Sequence, residues 1–400
     1  MQKSYIYLDN AATEPLHPAA AEAMRPYLSE LFFNANSPYD VAYTCRTAVE
    51  QARAEIAQAV GAKAEEIYFT SGGCEANSWA VQTLLGGKKR HIISTTVEHH
   101  SIHGACAFMM DLGYDVTYLP VDRFGLVDPD QFEAALRPDT ALASIQMVNN
   151  EMGTVQPIAR LAEIAAGRGV ALHTDAVQAV GQGCVNVDAQ GVQLLSASAH
   201  KFGGPKGVGF LYARRGYPLR PLIHGGAQER GLRGGTANTA GIVGMAAALC
   251  ARLASPEQES AVRAVREAFL ARLCMLLDTS VTDGAGVRVV SSEPPDKPER
   301  MLLRLNGHPV HRAAGNLNLT FFGVDGEALM LMLARRGVLC SAGAACSSGA
   351  IGPSYVLSAI GLTKREAMST LRFTFSPEIT PEQALNAAGH TAECVKILLR

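Results

Sequence analysis

Residues 169–213, GVALHTDAVQAVGQGCVNVDAQGVQLLSASAHKFGGPKGVGFLYA, hold three short β-rich runs, GVALHTD, QLLSASA and GVGFLYA, separated by glycine and polar turn residues. Asp175 closes the first run and Lys201 stands just beyond the second. Toward the N-terminus the same texture reaches back to about residue 66. EIYFTS precedes a helix from Glu75, HIISTTV one through Phe108, and TALASIQMV one near Leu161, with YDVTYLPV between them. Strands that alternate with helical segments pair in parallel through crossovers, so about seven strands are expected in one sheet covered on both faces. Residues 15–255 therefore read as a large α/β domain with a mainly parallel seven-stranded sheet. Beyond Ser255 a charged, Ala-rich helix (PEQESAVRAVREAFLARLCMLL) gives way to strands at VRVVSS and NLNLTFF and helices near EALMLMLARRG and PEQALNAAGHTAECVKILL. These residues, 256–400 together with 1–14, read as a smaller α+β domain, and SSEPPDKPER as a surface loop within it.

Composition narrows the function classes. With 48% hydrophobic and 18% charged residues in 400, the chain buries a large core and is not disordered. A formal net charge of -2 offers no broad basic field for nucleic acid or anionic lipid. The nine cysteines form no CxxC pair, against a disulfide framework or a tetrahedral zinc site. No apolar run approaches the roughly 20 residues that span a bilayer, and MQKSYIYLDNAAT runs straight into strand and turn signals. A cytoplasmic protein with no membrane role is expected.

Several segments carry chemistry. IYFTSGGCEANSWAVQTLL (67–85) is a strand, a glycine turn and a helix start, whose free N–H groups around Gly73 and Cys74 suit a phosphate; alone it is an ordinary tight turn. Asp175 and Lys201 sit at strand ends, where ligands of such sheets bind. A buried Asp facing a pyridinium nitrogen and a Lys able to hold an aldehyde as a Schiff base are what a protein supplies to pyridoxal 5'-phosphate. Taken singly, the Asp reads as a helix cap and the Lys as a solvated side chain. VEHHSIHG (97–104) offers His99 and His100, one of them to stack on a cofactor ring or move a proton, the other structural. Asn150 in MVNNEMG and Gln178 can hydrogen-bond a ring oxygen, and Ser198 and His200 flank the lysine; each can equally satisfy a loop backbone. LCSAGAACSSGAIGPSY (339–355) places Cys346 among small residues without helical periodicity, a setting from which a thiol can move. Cys340, beside an apolar strand end, reads as core. Arg372 in TLRFTFS points inward from an alternating strand, to grip a substrate carboxylate or to form an internal salt bridge.

The order of YLDNAAT, TSGGCEAN, VNNEMGTVQPI, HTDAVQ, SAHKFGGPKGVGFLY, GGAQERGLRGGTAN, SAGAACSSG, PSYVL and LRFTFS resembles the cysteine desulfurases of the NifS/IscS type, in the class V aminotransferase group of fold-type I pyridoxal-phosphate enzymes. The resemblance covers nearly the whole chain. It implies Lys201 as the Schiff-base lysine, Asp175 as partner of the ring nitrogen, and His99 as the stacking, proton-handling residue. Gln178 and Asn150 then lie near the ring oxygen, and Gly73, Cys74, Ser198 and His200 around the phosphate. It further implies a homodimer, in which Thr236 of GGTAN completes the phosphate cup of the other subunit. Cys346 matches the sulfur-accepting cysteine of a mobile loop in the smaller domain, and Arg372 the arginine that holds the carboxylate of L-cysteine. The implied products are L-alanine and a persulfide destined for a sulfur-acceptor protein, in iron-sulfur cluster assembly or thiolation. Two departures stand out: Cys74 replaces the family's usual Thr, and NANSPYDVAYTCRTA (34–48) differs from the usual pattern. Rival readings on this fold are selenocysteine lysis, transamination of a small amino acid, and a cofactor-free sulfur relay.

Overall fold

The structure, a computed structural model, describes residues 5–183, 185–255, 257–284, 303–342 and 352–400. The expected strand VRVVSS and the Pro-rich turn lie outside the described residues, as does Cys346.

Seven strands form the larger sheet: β1 (Ile67–Thr70), β2 (His91–Thr95), β3 (Asp115–Leu119), β4 (Thr140–Ser144), β5 (Ala171–Asp175), β6 (Leu194–Ser198) and β7 (Gly209–Ala213). Their spatial order is β1-β7-β6-β5-β4-β2-β3. Alternate side chains leave opposite faces, and both faces are apolar. Ile93, Ala143, Leu172, Leu195 and Phe210 join one core cluster, while their neighbours Ile92, Leu142, Leu194 and Leu211 join another with Trp79, Ile102 and Met109. The helices Gly73–Gln82 and His100–Asp111 cover that second face.

Strands β3, β2, β4, β5 and β6 run parallel, but β7 is antiparallel to both β6 and β1. The sheet is thus mainly parallel, as the sequence leads one to expect, and the one reversed strand has a simple cause. Only residues 199–208 separate β6 from β7, too few for the crossover of a dozen or more residues that a parallel return requires.

The smaller sheet comprises β8 (Val281–Thr282), β9 (Leu303–Asn306), β10 (Asn316–Phe321), β11 (Ser341–Ala342) and β12 (Thr370–Thr374), in the order β11-β12-β10-β9-β8. Helices Gln258–Leu277 and Pro381–Leu398 pack on it around Phe269, Phe321 and Phe373, with the Phe269 and Phe373 rings 5.0 Å apart. The Pro381–Leu398 helix starts at a capping box, Thr380 with Gln383, and has Pro at its first turn. Leu8 belongs to this core, and the stretch that follows it is tied to β12 and then meets the larger domain, where Ala11 O accepts from Gln178 Nε2 and Lys201 Nζ. Asn10 Nδ2 donates to Thr374 O at 2.7 Å and Thr374 Oγ1 accepts from Ala11 N at 2.9 Å.

Candidate active site

Each parallel strand hands its chain to the same edge of the sheet, where N–H groups and side chains at the carboxyl ends face a common crevice. Gly73 follows β1, His99 follows β2, Gln146 and Asn150 follow β4, Asp175 ends β5, and Ser198 ends β6. Lys201 comes next, on a single 3-10 turn, Ala199–Lys201. Together with Cys74, Asn77, Ser101, Gln178, His200 and Arg372 these residues line one cleft.

Asp175 is 2% exposed and held from two directions. Its Oδ2 accepts from Asn77 Nδ2 at 2.7 Å and its Oδ1 from Val177 N at 3.0 Å, so the carboxylate is fixed in orientation. Asn77 Nδ2 also donates to Ser101 Oγ at 2.8 Å, which in turn sits 2.8 Å from His99 Nδ1. The imidazole caps the helix His100–Asp111 and its orientation is thereby coupled to that of the carboxylate. Burial pushes its pKa below the usual histidine value, Asp175 pulls it up, and Lys201 and His100 push it down. The net shift favours the neutral imidazole. His100 is exposed, packs its ring 4.8 Å from Tyr355 and lies outside the cleft that His99 lines.

Lys201 Nζ donates to Ala11 O at 2.5 Å and Ala12 O at 3.0 Å. Gln178 Nε2 donates to the same Ala11 carbonyl at 2.9 Å. His200 Nδ1 lies 3.1 Å from Thr13 Oγ1, and burial, then Lys201, pushes its pKa down to about 4. Arg372 reaches the cleft from β12. It donates to Asn150 O at 2.8 Å and to Asp9 Oδ1 at 2.9 Å, so the internal ion pair and the cleft-facing position, alternatives from sequence, coexist. Asn150 Oδ1 accepts from Gln146 Nε2 at 3.2 Å.

The anion-facing end is built from backbone. Gly72 has φ +149° and Gly73 opens the helix Gly73–Gln82; a Cβ on Gly73 would stand 2.7 Å from Val177 Cγ2. Only glycine leaves room there for the first amides of the helix to face the cleft. Cys74 is exposed at the cleft's edge. Thr236 is exposed, ahead of the helix Thr239–Leu253, and does not line this cleft. Cys340 packs against the smaller core as expected, its thiol pushed up to about 12, chiefly by burial.

Sequence reasoning did not single out Asn77, Ser101, Gln146 or Asp9. Asn77 was detectable: it stands four residues after Gly73, on the same face of that helix. Asp9 was not, because 363 residues separate it from Arg372. The assembled groups can bind an anion at the helix start, hold a carboxylate at a guanidinium, and pass protons between an amine and a neutral imidazole.

Residues 6–281 match the aminotransferase class-V family. A cysteine desulfurase IscS of Dictyoglomus turgidum is 46% identical over 383 residues, spanning 95% of this chain and 92% of that protein. Among solved structures, a NifS-like protein superposes with a TM-score of 0.87 at 30% identity, covering 98% of this chain and all of that one. SspA in complex with cysteine superposes with a TM-score of 0.78 at 34% identity, over 94% and 99% of the two chains. Matched along nearly its whole length, the chain belongs to the aminotransferase class-V family and, within it, to the group of the cysteine desulfurases.

Proposed function

We propose that the protein is a cysteine desulfurase: it takes the sulfur of L-cysteine, releases L-alanine and leaves the sulfur as a persulfide on Cys346. The observation that carries this reading is the meeting of Lys201, Asp175, His99 and Arg372 in one cleft at the start of the Gly73 helix. The same set fits pyridoxal 5'-phosphate. An oriented carboxylate suits a protonated ring nitrogen, an amine suits an aldehyde, and the Gly73 and Cys74 amides with Ser198 and His200 suit a phosphate. When bound, that cofactor supplies an electron sink for charge released at the substrate Cα.

The chain's residues divide the remaining work. Arg372 holds the substrate carboxylate, with Asn150 fixed beside it. Lys201 moves the Cα proton, and His99, oriented through Ser101, carries protons to and from sulfur. Gln178 and Asn150 serve the ring oxygen. Cys346 as thiolate attacks the substrate sulfur: the new S–S bond forms as the C–S bond breaks, the electron pair goes to carbon, and a proton completes alanine. Cysteine and one thiol become alanine and one persulfide, so no outside oxidant or reductant is needed. The persulfide is then passed to an acceptor protein.

A second copy of the chain completes the site by supplying Thr236. In support, Thr236 is exposed away from its own cleft, and the exposed apolar side chains Leu28, Phe32, Tyr39, Val41 and Tyr43 are concentrated between residues 28 and 43. The two hydrophobic cores support division into a larger unit at 15–255 and a smaller one formed by 1–14 and 256–400. Replacing Cys346 with Ser tests the central step. Alanine formation from L-cysteine should fall to background while absorption near 420 nm, the band of the lysine-bound cofactor, is unchanged; full alanine production by Cys346→Ser would refute the role.

A further inference from the structure

Lys201 borders more than the cleft it shares with Asp175. It also lines a second cavity together with Glu14, Gln182, Arg252 and Phe375, and a narrower one with Asn10, Glu14 and Gln178. Glu14 is the carboxylate that accompanies the lysine in both. Its side chain is 9% exposed and hydrogen-bonded to Arg252, itself 9% exposed, at the end of the helix Thr239–Leu253. Backbone ties the two residues further. Glu14 N donates to His200 O at 2.8 Å, next to the lysine, and Lys201 Nζ rests on the carbonyls of Ala11 and Ala12.

The charges around Glu14 come from every side. Arg252 clamps it, Glu378 lies 4.0 Å beyond Arg252, Glu259 lines the same cavity, and Tyr7 feels its charge. Burial pushes the Glu14 carboxyl up to about 7, Arg252 and Lys201 pull it down, and Glu378 pushes it up. A carboxyl near that value changes charge close to neutral pH, in a cavity that the amine proposed to move the substrate proton also lines.

We propose that Glu14 is a positioning residue for Lys201, which takes up through their shared cavity the proton that the lysine sheds and returns it. An N–H bond of the ammonium breaks, an O–H bond of the carboxyl forms, and the net charge of the pair is unchanged. As carboxylate, Glu14 holds Lys201 in its ammonium form; once protonated, it releases the free amine. The inference rests on Lys201 as the lysine that carries the chemistry, but its test is read on the lysine itself and not on cysteine turnover.

The full chain, treated with hydroxylamine to free Lys201 of any bound carbonyl, is labelled with acetic anhydride across pH 5 to 10, and the rate at Lys201 is followed by peptide mass spectrometry. Glu14→Gln should lower the apparent pKa of Lys201, speeding its labelling about three- to ten-fold at pH 8 and above, with no difference from wild type below about pH 6, where the native carboxyl is itself protonated. Glu14→Asp keeps the charge but draws it back by one methylene; it should shift the profile less, in the same direction, and serves if the Gln variant does not fold. Superimposable profiles for wild type and variants, or a difference that persists equally at pH 5, would overturn the proposal. Loss of desulfurase activity in the wild type with the shift intact would instead sink the functional reading alone.

Discussion

Arg372 shows how much one side chain can depend on its place. Leu371 and Phe373, its neighbours on β12, point into the smaller core, so alternation turns the guanidinium to the other face, toward Asn150 and Asp9. Two of its nitrogens are engaged by fixed acceptors, which sets the plane of the fork before any substrate carboxylate arrives. Arg372→Lys keeps the charge and loses the fork. We expect the KM for L-cysteine to rise about ten- to one-hundred-fold with kcat within a few-fold of wild type, since the contact serves ground state and transition state alike. An unchanged KM would mean that the Asp9 pair is purely structural. The candidate residues legible in the sequence were those whose type is unusual for their local element: a Lys after a buried strand, an Asp at a strand end, an Arg inside one. Asn77, Ser101 and Gln146 were not, because polar residues near loops are ordinary and their meaning arises only from what they touch.

Among the elements, the middle of the larger sheet contains a buried polar seam. The His173 ring bridges three strands, with Nδ1 2.8 Å from Ser144 Oγ on β4 and Nε2 2.9 Å from Ser196 Oγ on β6. Burial pushes its pKa down to about 3. Between pH 6.5 and 3 the unfolded chain binds a proton that the folded one refuses, so the stability associated with this group is full above pH 6.5 and is lost as pH falls through that window. The fully buried Glu98 has the opposite sign: burial raises it to about 8, so its contribution declines as pH rises from about 4.5. A variant comparison separates the two. His173→Gln should cost about 1–2 kcal/mol at pH 7, where one of two buried hydrogen bonds is lost, yet flatten the fall in stability between pH 7 and 5. Denaturant unfolding of both proteins at the two pH values gives the answer; parallel falls would show that His173 is not the acid-sensitive group.

For the molecule as a whole, the apolar stretch between Leu28 and Tyr43 is costly to leave in water. Phe32 is 69% exposed and stacks on Phe33 with ring centroids 4.6 Å apart, a contact that does not cover it. If the proposed dimer forms through this surface and Thr236 of the second copy completes the phosphate site, Phe32→Glu should shift sedimentation from dimer toward monomer and loosen cofactor retention. A variant that remains a dimer at micromolar concentration would remove this surface from the interface. What the sequence by itself determined is whatever depends on local period and composition. The seven strands, the helices that follow EIYFTS and HIISTTV, and the placing of Asp175 and Lys201 at strand ends all follow from side-chain alternation and backbone hydrogen bonding within a few residues. Tertiary structure alone decided the passage of residues 8–14 over Lys201 and the meeting of Arg372 with Asp9 and Asn150. These depend on contacts between segments hundreds of residues apart, and such contacts are selected by the packing of two whole cores, which no local pattern encodes.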